Sequence, residues 1–352
     1  MTDTTTTLIT ATGESVGKTA ITLAFARLAT AGDQDVGYMK PKGTRLQSNV
    51  GKTLDQDPML AREMLGLDAE MHQMEPVVYS PTFAEGVIRG TEDTGALRDR
   101  IATSFETLAD GRDHVFVEGG EWRTGGVVEL TDPDVAELLD ARVILVAEYE
   151  SPKDLDAVLA AADAFGDRLA GVVFNKVADA AYDSLGQDGI PFLKSRGVAV
   201  FGALPREKEL AGVTVSALAD ELGADALTEG STDVFVERFL VGAMGGDEAL
   251  RYFRRARDTV VITGGDRADV QTAALGASGV KCLLLTGGHR PSGAVLGRAA
   301  EADTAVLAVN TNTATAIDRV ESLIQGGRTS DARTVDRMAK LLDAHVDVDA
   351  VI

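Results

Sequence analysis

A glycine-rich segment near the start of the chain carries the residue types with the clearest chemistry. Residues 11–19 read Ala-Thr-Gly-Glu-Ser-Val-Gly-Lys-Thr, between a short apolar run and a helical pattern. Glycines let the backbone turn closely around an anion, a lysine reaches the outer phosphates of a polyphosphate, and a threonine hydroxyl can ligate Mg²⁺. The predicted phosphate-binding residues are Thr12, Gly13, Glu14, Ser15, Val16, Gly17, Lys18 and Thr19.

This segment is a variant of the phosphate-binding loop, or P-loop. Thr12 stands where the common pattern has a glycine. A strand–helix turn that merely contains glycines and a solvated Lys18 is the alternative. The combination of Gly-Lys-Thr with an apolar run before it and a helical pattern after it favours the P-loop.

Two lysines follow the second apolar run. Lys40 and Lys42 come directly after residues 36–39, which read Val-Gly-Tyr-Met. Parallel sheets bind ligands beyond the carboxyl ends of their strands, so both lysines are predicted at the phosphate edge. Lys40 is expected to act with Lys18 in stabilising the charge of a transferring phosphoryl group. Alternatively, they are surface lysines beside the turn at Pro41.

Two carboxylates are placed where they could hold a metal ion. Glu118 ends the run at residues 114–117, and Asp57 precedes a helical pattern. Carboxylate and hydroxyl oxygens suit Mg²⁺ beside a phosphate, so Thr19, Asp57 and Glu118 are the predicted Mg²⁺ ligands. Alternatively, Glu118 is a capping residue, and Asp57 is the N-cap of a helix with Pro58 at its first position.

A second group of polar residues follows two apolar runs in the last third of the chain. Its members are Asp266, Arg267, Thr286, Gly287 and Gly288. Backbone amides and a guanidinium at one edge of a sheet predict a second ligand site, for an anion or a nucleotide. Alternatively, Asp266 caps the next helix and bonds Arg267 or a subunit partner, so that the motif serves folding and dimerisation.

The elements that must position these residues alternate between strands and helices. The apolar runs are short, rich in β-branched residues and continuous, which is typical of strands buried on both faces. Alternation with helical patterns predicts an α/β fold with a parallel, doubly wound sheet. The predicted strands of the first part are residues 7–9, 36–39, 114–117, 142–146, 171–174 and 198–201.

The same alternation resumes on a smaller scale in the second part of the chain. A stretch of proline, charged residues and glycine separates the two parts and predicts a linker. The predicted division is a P-loop domain at residues 1–205, a linker at 206–215, a smaller α/β domain at 216–342 and a loosely ordered tail at 343–352.

Composition excludes several classes of function. The net charge of −21 disfavours binding to nucleic acid or to anionic membranes, which need clustered lysine or arginine. No membrane span or signal peptide is predicted, and the single cysteine, Cys282, fits a cytoplasmic protein and a packed strand position. The acid-rich, lysine-poor composition resembles that of proteins from halophilic microbes.

The first two hundred residues resemble a known family of ATP-using enzymes. They are similar to dethiobiotin synthetase and the cobyrinate amidoligases, and more closely to the dethiobiotin-synthetase-like N-terminal domain of long phosphate acetyltransferases. The resemblance implies ATP and Mg²⁺ as cofactors, with Asn175 and Pro205 at the adenine base. The matching segments are residues 11–19, 37–41, 57, 117–120, 173–176 and 202–205.

The second part resembles the DRTGG domain, which is named for residues of the kind found at 266–267 and 286–288. In long phosphate acetyltransferases this domain lies between the P-loop domain and the catalytic domain. No acyl-transfer domain follows here, so phosphate acetyltransferase activity is not expected of this chain.

Three functions remain open on this resemblance. The first is a regulatory protein that senses ATP and tunes acyl-CoA or acetate metabolism through a partner enzyme. The second is an ATP-dependent carboxylate or amine ligase of the dethiobiotin synthetase or cobyrinate amidoligase type. The third is a scaffold with a vestigial P-loop. Relatives of this type often dimerise, so a homodimer is predicted.

Overall fold

The chain folds into two compact units. The structure, a computed structural model, describes residues 4–43, 46–49, 52–207, 210, 212–228, 232–326 and 332–352. The first unit comprises Met1–Arg206 together with Thr329–Ile352, and the second comprises Glu207–Arg328. The second unit is therefore an insertion in the chain of the first.

The strands are β1 (Thr5–Ala11), β2 (Val36–Met39), β3 (Lys42–Gly43), β4 (Leu46–Asn49), β5 (Lys52–Asp55), β6 (Val77–Val78), β7 (His114–Glu121), β8 (Arg142–Glu148), β9 (Leu169–Val177), β10 (Val200–Pro205), β11 (Val213–Thr214), β12 (Asp225–Ala226), β13 (Phe235–Val236), β14 (Arg238–Val241), β15 (Thr259–Gly264), β16 (Val280–Thr286) and β17 (Ala305–Ala308).

The helices are α1 (Lys18–Ala31), α2 (Gln56–Leu65), α3 (Met71–Met74), α4 (Pro81–Ile88), α5 (Thr94–Ala109), α6 (Asp132–Leu138), α7 (Leu155–Phe165), α8 (Asp179–Ser184), α9 (Ile190–Ser195), α10 (Val215–Leu222), α11 (Gly246–Phe253), α12 (Ala268–Leu275), α13 (Gly293–Glu301), α14 (Thr313–Gly326) and α15 (Ala332–His345).

A six-stranded parallel sheet forms the centre of the first unit. Its strand order is β10-β9-β8-β1-β7-β2, with β1 between β7 and β8. Continuous apolar stretches make these strands, and β8 is buried from Val143 to Ala147 because helices cover both faces of the sheet. Parallel pairing brings the carboxyl ends of β1, β2 and β7 to one edge. The α/β fold with a parallel P-loop-type sheet is confirmed.

The C-terminal helix belongs to the first unit, which corrects the predicted division. α15 packs against α1, and Arg27 Nε lies 2.6 Å from Asp336 Oδ1. The chain then continues along β10, where Val346 forms an antiparallel bridge with Gly202. α15 is amphipathic, so it needs an apolar partner surface, and α1 supplies that surface. The prediction of a loosely ordered tail at 343–352 is therefore wrong.

The second unit contains a five-stranded sheet of the order β12-β17-β16-β15-β14. β14 to β17 are parallel, and β12 pairs with β17 in the antiparallel direction. β11 pairs with β13, so the end of the predicted linker is part of the folded second unit. Cys282 is buried in β16, as predicted, with apolar clusters on both faces of the sheet. Within the described ranges, no helix is both long and apolar enough to span a membrane.

Candidate functional site

The P-loop occupies residues 12–17, between β1 and α1. Its first amide, on Thr12, donates to the carbonyl oxygen of Val146 at 3.0 Å. Ser15 and Gly17 both have positive φ, of 55° and 88°, so the chain turns sharply before the helix. Among the described residues no side chain caps the amino end of α1. The first amides of α1 are thus directed at the loop and can receive an anion.

Asn175 and Lys176, at the end of β9, hold this loop through its carbonyl groups. Asn175 Nδ2 donates to the Val16 carbonyl oxygen at 2.8 Å, and Lys176 Nζ donates to the Ser15 carbonyl oxygen. Lys176 also lies 3.0 Å from Glu148 Oε1. A Cβ atom on Gly17 would lie 2.4 Å from Asn175 Nδ2, so only glycine allows this approach. Sequence reasoning identified Asn175 but not this contact or the role of Lys176.

Thr19 and Glu118 meet directly at the edge of the sheet. Thr19 Oγ1 donates to Glu118 Oε1 at 2.7 Å, and Tyr38 OH donates to Glu118 Oε2 at 2.8 Å. Burial and the charge of Asp57 raise the pKa of Glu118, while Lys40, Lys18 and the bond from Thr19 oppose that rise. Burial, followed by the charge of Glu118, raises the pKa of Tyr38.

Lys40 lies among three carboxylates. Its Nζ is 2.7 Å from Asp55 Oδ2, 2.5 Å from Asp57 Oδ2 and 3.9 Å from Glu118 Oε1. Burial lowers the pKa of Lys40, but these negative charges outweigh burial and hold the pKa above its ordinary value. The alternative of a surface lysine is wrong, because only 3% of Lys40 is exposed.

Asp55, rather than Asp57, caps α2. The Asp55 side chain accepts a hydrogen bond from the Asp57 amide at 3.0 Å, and the helix begins at Gln56. The alternative in which Asp57 is the N-cap is therefore wrong, and its carboxylate contacts Lys40 instead. Sequence reasoning missed Asp55, although an acidic residue two positions before another at a helix start is a recognisable capping signal.

Glu75 is a buried carboxyl group behind this cluster that sequence reasoning also missed. Its Oε2 accepts from the Asp55 amide at 3.2 Å, and its Oε1 has no hydrogen-bond partner among the described residues. Burial is the main cause that raises the pKa of Glu75 to about 7. A Cβ on Gly43 would collide with Glu75 Oε1, so the glycine makes room for the carboxyl group.

The donor set at this edge suits Mg²⁺. The Thr19 hydroxyl and the Glu118 carboxylate are in contact, and Asp57 reaches the same cluster through Lys40. In phosphate sites Mg²⁺ takes one or two carboxylates and completes its shell with phosphate oxygens and water. The described residues contain no group of three or more histidine, cysteine or acidic side chains arranged as a protein-only metal site.

Five predicted residues converge around the start of α1. Thr19, Lys40, Asp57 and Glu118 are linked by the contacts above, and Lys18 is half-buried and near enough to lower the pKa of Glu118. Pro205 lies one strand further on, because its β10 position pairs with Val177 of β9. Pro205 therefore ends the strand beside the one that carries Asn175.

The predicted second ligand site is a set of tight backbone turns in the second unit. Gly287 and Gly288 have positive φ, of 82° and 71°, and their amides donate to the carbonyl oxygens of Thr311 and Val309. The Thr286 hydroxyl lies 2.8 Å from the Thr313 hydroxyl. These backbone amides thus serve the fold of the loop in this arrangement.

Arg267 contacts Asp269 and not Asp266. Its Nη2 donates to the Met244 carbonyl oxygen at 2.8 Å, and its Nε lies 3.4 Å from Asp269 Oδ1. The residue at the N-cap of α12 is Arg267, and no side chain in the described residues caps that end. Asp266 therefore neither caps the helix nor bonds Arg267, so that part of the alternative is wrong, while a contact of Asp266 with a subunit partner stays a prediction. A cavity of about 350 Å³ in this unit is lined by other residues, including Asp225, Arg290 and Leu296.

The chain matches two known domain families. Residues 5–214 match an AAA domain (AAA_26), and residues 217–323 match the DRTGG domain. These ranges cover the P-loop, Lys40, Asp57, Glu118, Asn175 and Pro205 in one family, and the predicted second ligand site in the other.

Two relatives illustrate the likeness. The chain is 26% identical over 353 residues to phosphate acetyltransferase of Pseudomonas putida, a match that covers 94% of this chain and 49% of the relative. It is 33% identical over 175 residues to ATP-dependent dethiobiotin synthetase of Frankia casuarinae, which covers 47% of this chain and 69% of the relative. The chain spans about half the length of the phosphate acetyltransferases that it matches.

Among the solved structures that align with part of the chain is one from a pyrophosphatase. It contains the CBS and DRTGG domains of the regulatory region of Clostridium perfringens pyrophosphatase, complexed with diadenosine tetraphosphate. The TM-score is 0.28 at 19% identity, and the alignment covers 39% of this chain and 69% of the other.

Proposed function

The chain belongs to the AAA domain family, with a dethiobiotin-synthetase-like P-loop domain and a DRTGG domain, and from that membership we propose that it is an ATP-binding regulatory protein. The observation that carries the proposal is the contact between Thr19 and Glu118 at the start of the uncapped helix α1. A hydroxyl and a carboxylate at this place can hold Mg²⁺ while the P-loop amides hold phosphate.

Each residue of the site has a distinct task in this proposal. The amides of residues 13–17 receive phosphate oxygens, and Lys18 adds a positive charge for the outer phosphates. Thr12 borders this loop with its own amide bonded to the Val146 carbonyl oxygen. Thr19, Asp57 and Glu118 are the proposed ligands of Mg²⁺, which would neutralise phosphate charge. The proposed base-binding residues are Asn175 and Pro205.

Lys40 has a charge-balancing task. Its ammonium group is held by Asp55 and Asp57 and lies near Glu118, so it offsets the repulsion among three buried carboxylates. A cation poised there also supports the proposed stabilisation of a transferring phosphoryl group.

We propose that the regulated process is acyl-CoA or acetate metabolism, through a partner enzyme in the cytoplasm. The support is the match to a phosphate acetyltransferase over nearly the whole of this chain. Such a regulator binds ATP tightly, turns it over slowly and changes the activity of an acyl-CoA enzyme that co-purifies with it.

A second candidate is an ATP-dependent ligase that activates a carboxylate or an amine. The identity of 33% to a dethiobiotin synthetase favours it, as does the presence of Lys40 beside the proposed Mg²⁺ ligands. A ligase releases ADP at a rate that rises sharply with one small acid or amine, whereas the regulator shows no such substrate.

Calorimetric titration with ATP and Mg²⁺ tests the nucleotide site. We expect wild type to bind and Lys18→Ala to bind at least about tenfold more weakly, because a charge-assisted contact to phosphate contributes about 1.5–3 kcal/mol. Lys153→Ala is the matched control, since that exposed lysine lies outside the site. Wild type that does not bind ATP would leave the scaffold with a vestigial P-loop as the surviving function.

A screen of ADP release then separates the regulator from the ligase. Wild type is incubated with ATP, Mg²⁺ and a panel of small carboxylates and amines, with Lys18→Ala as the blank. A flat response across the panel supports the regulator. Strong stimulation by a single compound establishes the ligase and overturns the regulatory proposal.

A further inference from the structure

Asp132, the first residue of α6, is a buried hub at the same edge of the sheet as the P-loop. Its Oδ2 accepts hydrogen bonds from Thr10 Oγ1 at 2.6 Å and from the Gly120 amide at 2.7 Å. Its Oδ1 lies 3.1 Å from Lys42 Nζ. One carboxylate thus joins three segments of chain: β1 just before the P-loop, β7 just after Glu118, and the segment that follows Lys40.

Lys42 completes the cluster with its two other hydrogen bonds. Its Nζ donates to the carbonyl oxygen of Thr124 at 2.8 Å and to that of Leu130. With Asp132 as the third acceptor, all three ammonium hydrogens have partners, and the loop between β7 and α6 is held at both ends. We call Thr10, Lys42, Gly120 and Asp132 the Lys42 cluster.

The three side chains of the cluster are almost completely buried. Lys42 is 6% exposed, and Thr10 and Asp132 are 0% exposed. Two buried charges are expensive to remove from water, and replacing such a pair by apolar residues is often neutral or stabilising. Fold stability is therefore a weak explanation for an ion pair at this place, and a positional role deserves a test.

Two glycines make room for the cluster. A Cβ on Gly119 would lie 2.3 Å from Asp132 Oδ2. Gly125 has a φ of 110°, and a Cβ there would lie 2.3 Å from the Leu130 carbonyl oxygen and 2.9 Å from Lys42 Nζ. The glycines after Glu118 thus admit a carboxylate and an ammonium group against the backbone.

We propose that Lys42 and Asp132 are positioning residues for the Mg²⁺–nucleotide site. Thr10 is one of the last residues before the P-loop, Gly120 is two residues after Glu118, and Lys42 is two residues after Lys40. By tying these segments together, the cluster sets the separation between the phosphate loop and the carboxylate edge. This inference rests on the proposed binding of ATP with Mg²⁺.

The consequence is specific to the metal. Loss of the cluster lets the end of β7 shift relative to β1, so the Thr19 hydroxyl and the Glu118 carboxylate no longer meet at the spacing that Mg²⁺ requires. ATP affinity without Mg²⁺ depends on the P-loop amides and Lys18 and changes little. The measured quantity is therefore the ratio of the ATP affinity with Mg²⁺ to the ATP affinity without Mg²⁺. A general loss of stability does not change this ratio.

The test uses the full chain and four variants: Lys42→Met, Asp132→Asn, the double variant Lys42→Met/Asp132→Asn, and Thr10→Val. ATP affinity is measured by calorimetry with Mg²⁺ and with EDTA, and urea unfolding reports stability. Single charge removal leaves the partner buried and unpaired, so the double variant is expected to be more stable than either single variant. In the double variant and in Thr10→Val, the Mg²⁺-dependent gain in ATP affinity is expected to fall at least tenfold.

Thr7→Val is the matched control for Thr10→Val. Thr7 is a buried threonine on the same strand, hydrogen-bonded to His114 and Arg142 at the other end of the sheet. It should lose stability and keep the wild-type Mg²⁺ gain. If both the double variant and Thr10→Val keep the wild-type Mg²⁺-dependent gain in ATP affinity, the positioning role is overturned. Wild type that binds no ATP overturns the proposed function instead, and the two failures are distinguished.

Discussion

At the scale of single residues, the site is governed by burial of charge. Lys40, Asp57 and Glu118 are each almost wholly buried, and the one ammonium group of Lys40 lies within 4 Å of both carboxylates. Such groups bind a charged ligand with little reorganisation, because their positions are already determined by one another. The P-loop turn is equally constrained, since Gly17 combines a positive φ with contact to Asn175.

Gly17→Ala is expected to destabilise the protein by about 2 kcal/mol. A left-handed conformation costs a residue with a Cβ about 1–2 kcal/mol, and the new methyl group must displace the Asn175 amide. Gly13→Ala is the control, because its Cβ would meet only Val16 at 3.9 Å. Urea unfolding without nucleotide gives both values, and equal losses in the two variants would contradict the explanation.

His114 gives the protein a pH-dependent stability. Burial and the charge of Arg142 lower the pKa of His114 to about 4. The fold favours the neutral form of His114. Its contribution to the free energy of unfolding is therefore fully present above the ordinary pKa of about 6.5 and is lost as pH falls towards 4. Between pH 7 and 4.5, wild type should lose about 2 kcal/mol more unfolding free energy than His114→Gln. Parallel pH profiles from urea unfolding would show that His114 does not cause the loss.

At the scale of elements, the carboxyl ends of β1, β2 and β7 bring the site together, and α15 completes the unit that carries it. The residues after α15 extend along β10, where the Asp347 amide donates to the Phe201 carbonyl oxygen at 2.9 Å. Local periodicity predicted most of the central strands, because a buried strand has a continuous apolar run. The same periodicity could not assign α15 to its partner, since an amphipathic pattern states that a face is buried and not what covers it.

Gly202→Ala tests the attachment of the C-terminal segment to β10. A Cβ on Gly202 would lie 2.1 Å from the His345 carbonyl oxygen, so the segment must move away from the strand. We expect a loss of about 1–3 kcal/mol in unfolding free energy. Gly186→Ala is the control, because a Cβ there meets nothing within 4 Å. Similar urea midpoints for the two variants would count against a tight attachment.

At the scale of the whole molecule, the second unit is inserted into the chain of the first. The P-loop unit takes its last helix from beyond the insertion, so its two chain segments must associate for it to be complete. Sequence reasoning predicted a linker at 206–215 from a stretch rich in proline, charge and glycine, and the first unit's first segment ends at Arg206. The return of the chain to the first unit left no local signal.

Excision of residues 207–328 should leave a folded P-loop unit. With a flexible glycine–serine linker of about ten residues in their place, the shortened chain is expected to unfold cooperatively and to bind ATP with Mg²⁺ as wild type does. Truncation after residue 328, which removes α15, uncovers an apolar face of α1 and should abolish cooperative unfolding. Thermal unfolding followed by circular dichroism measures the cooperativity of each chain, and calorimetry measures its binding of ATP. A truncated chain as stable as the excised one would contradict the importance of α15.

The sequence by itself determined the P-loop and the parallel α/β sheet. It also predicted which residues lie close together at the edge of that sheet: Lys18, Thr19, Lys40, Asp57 and Glu118. Strand ends and glycine turns are local signals, and their position follows from the direction of the chain. Only the tertiary structure decided that Lys40 is buried between carboxylates, that Asp132 ties three segments together and that α15 packs on α1. These contacts join residues far apart in the chain, and their free energy depends on burial and pairing that no local pattern records.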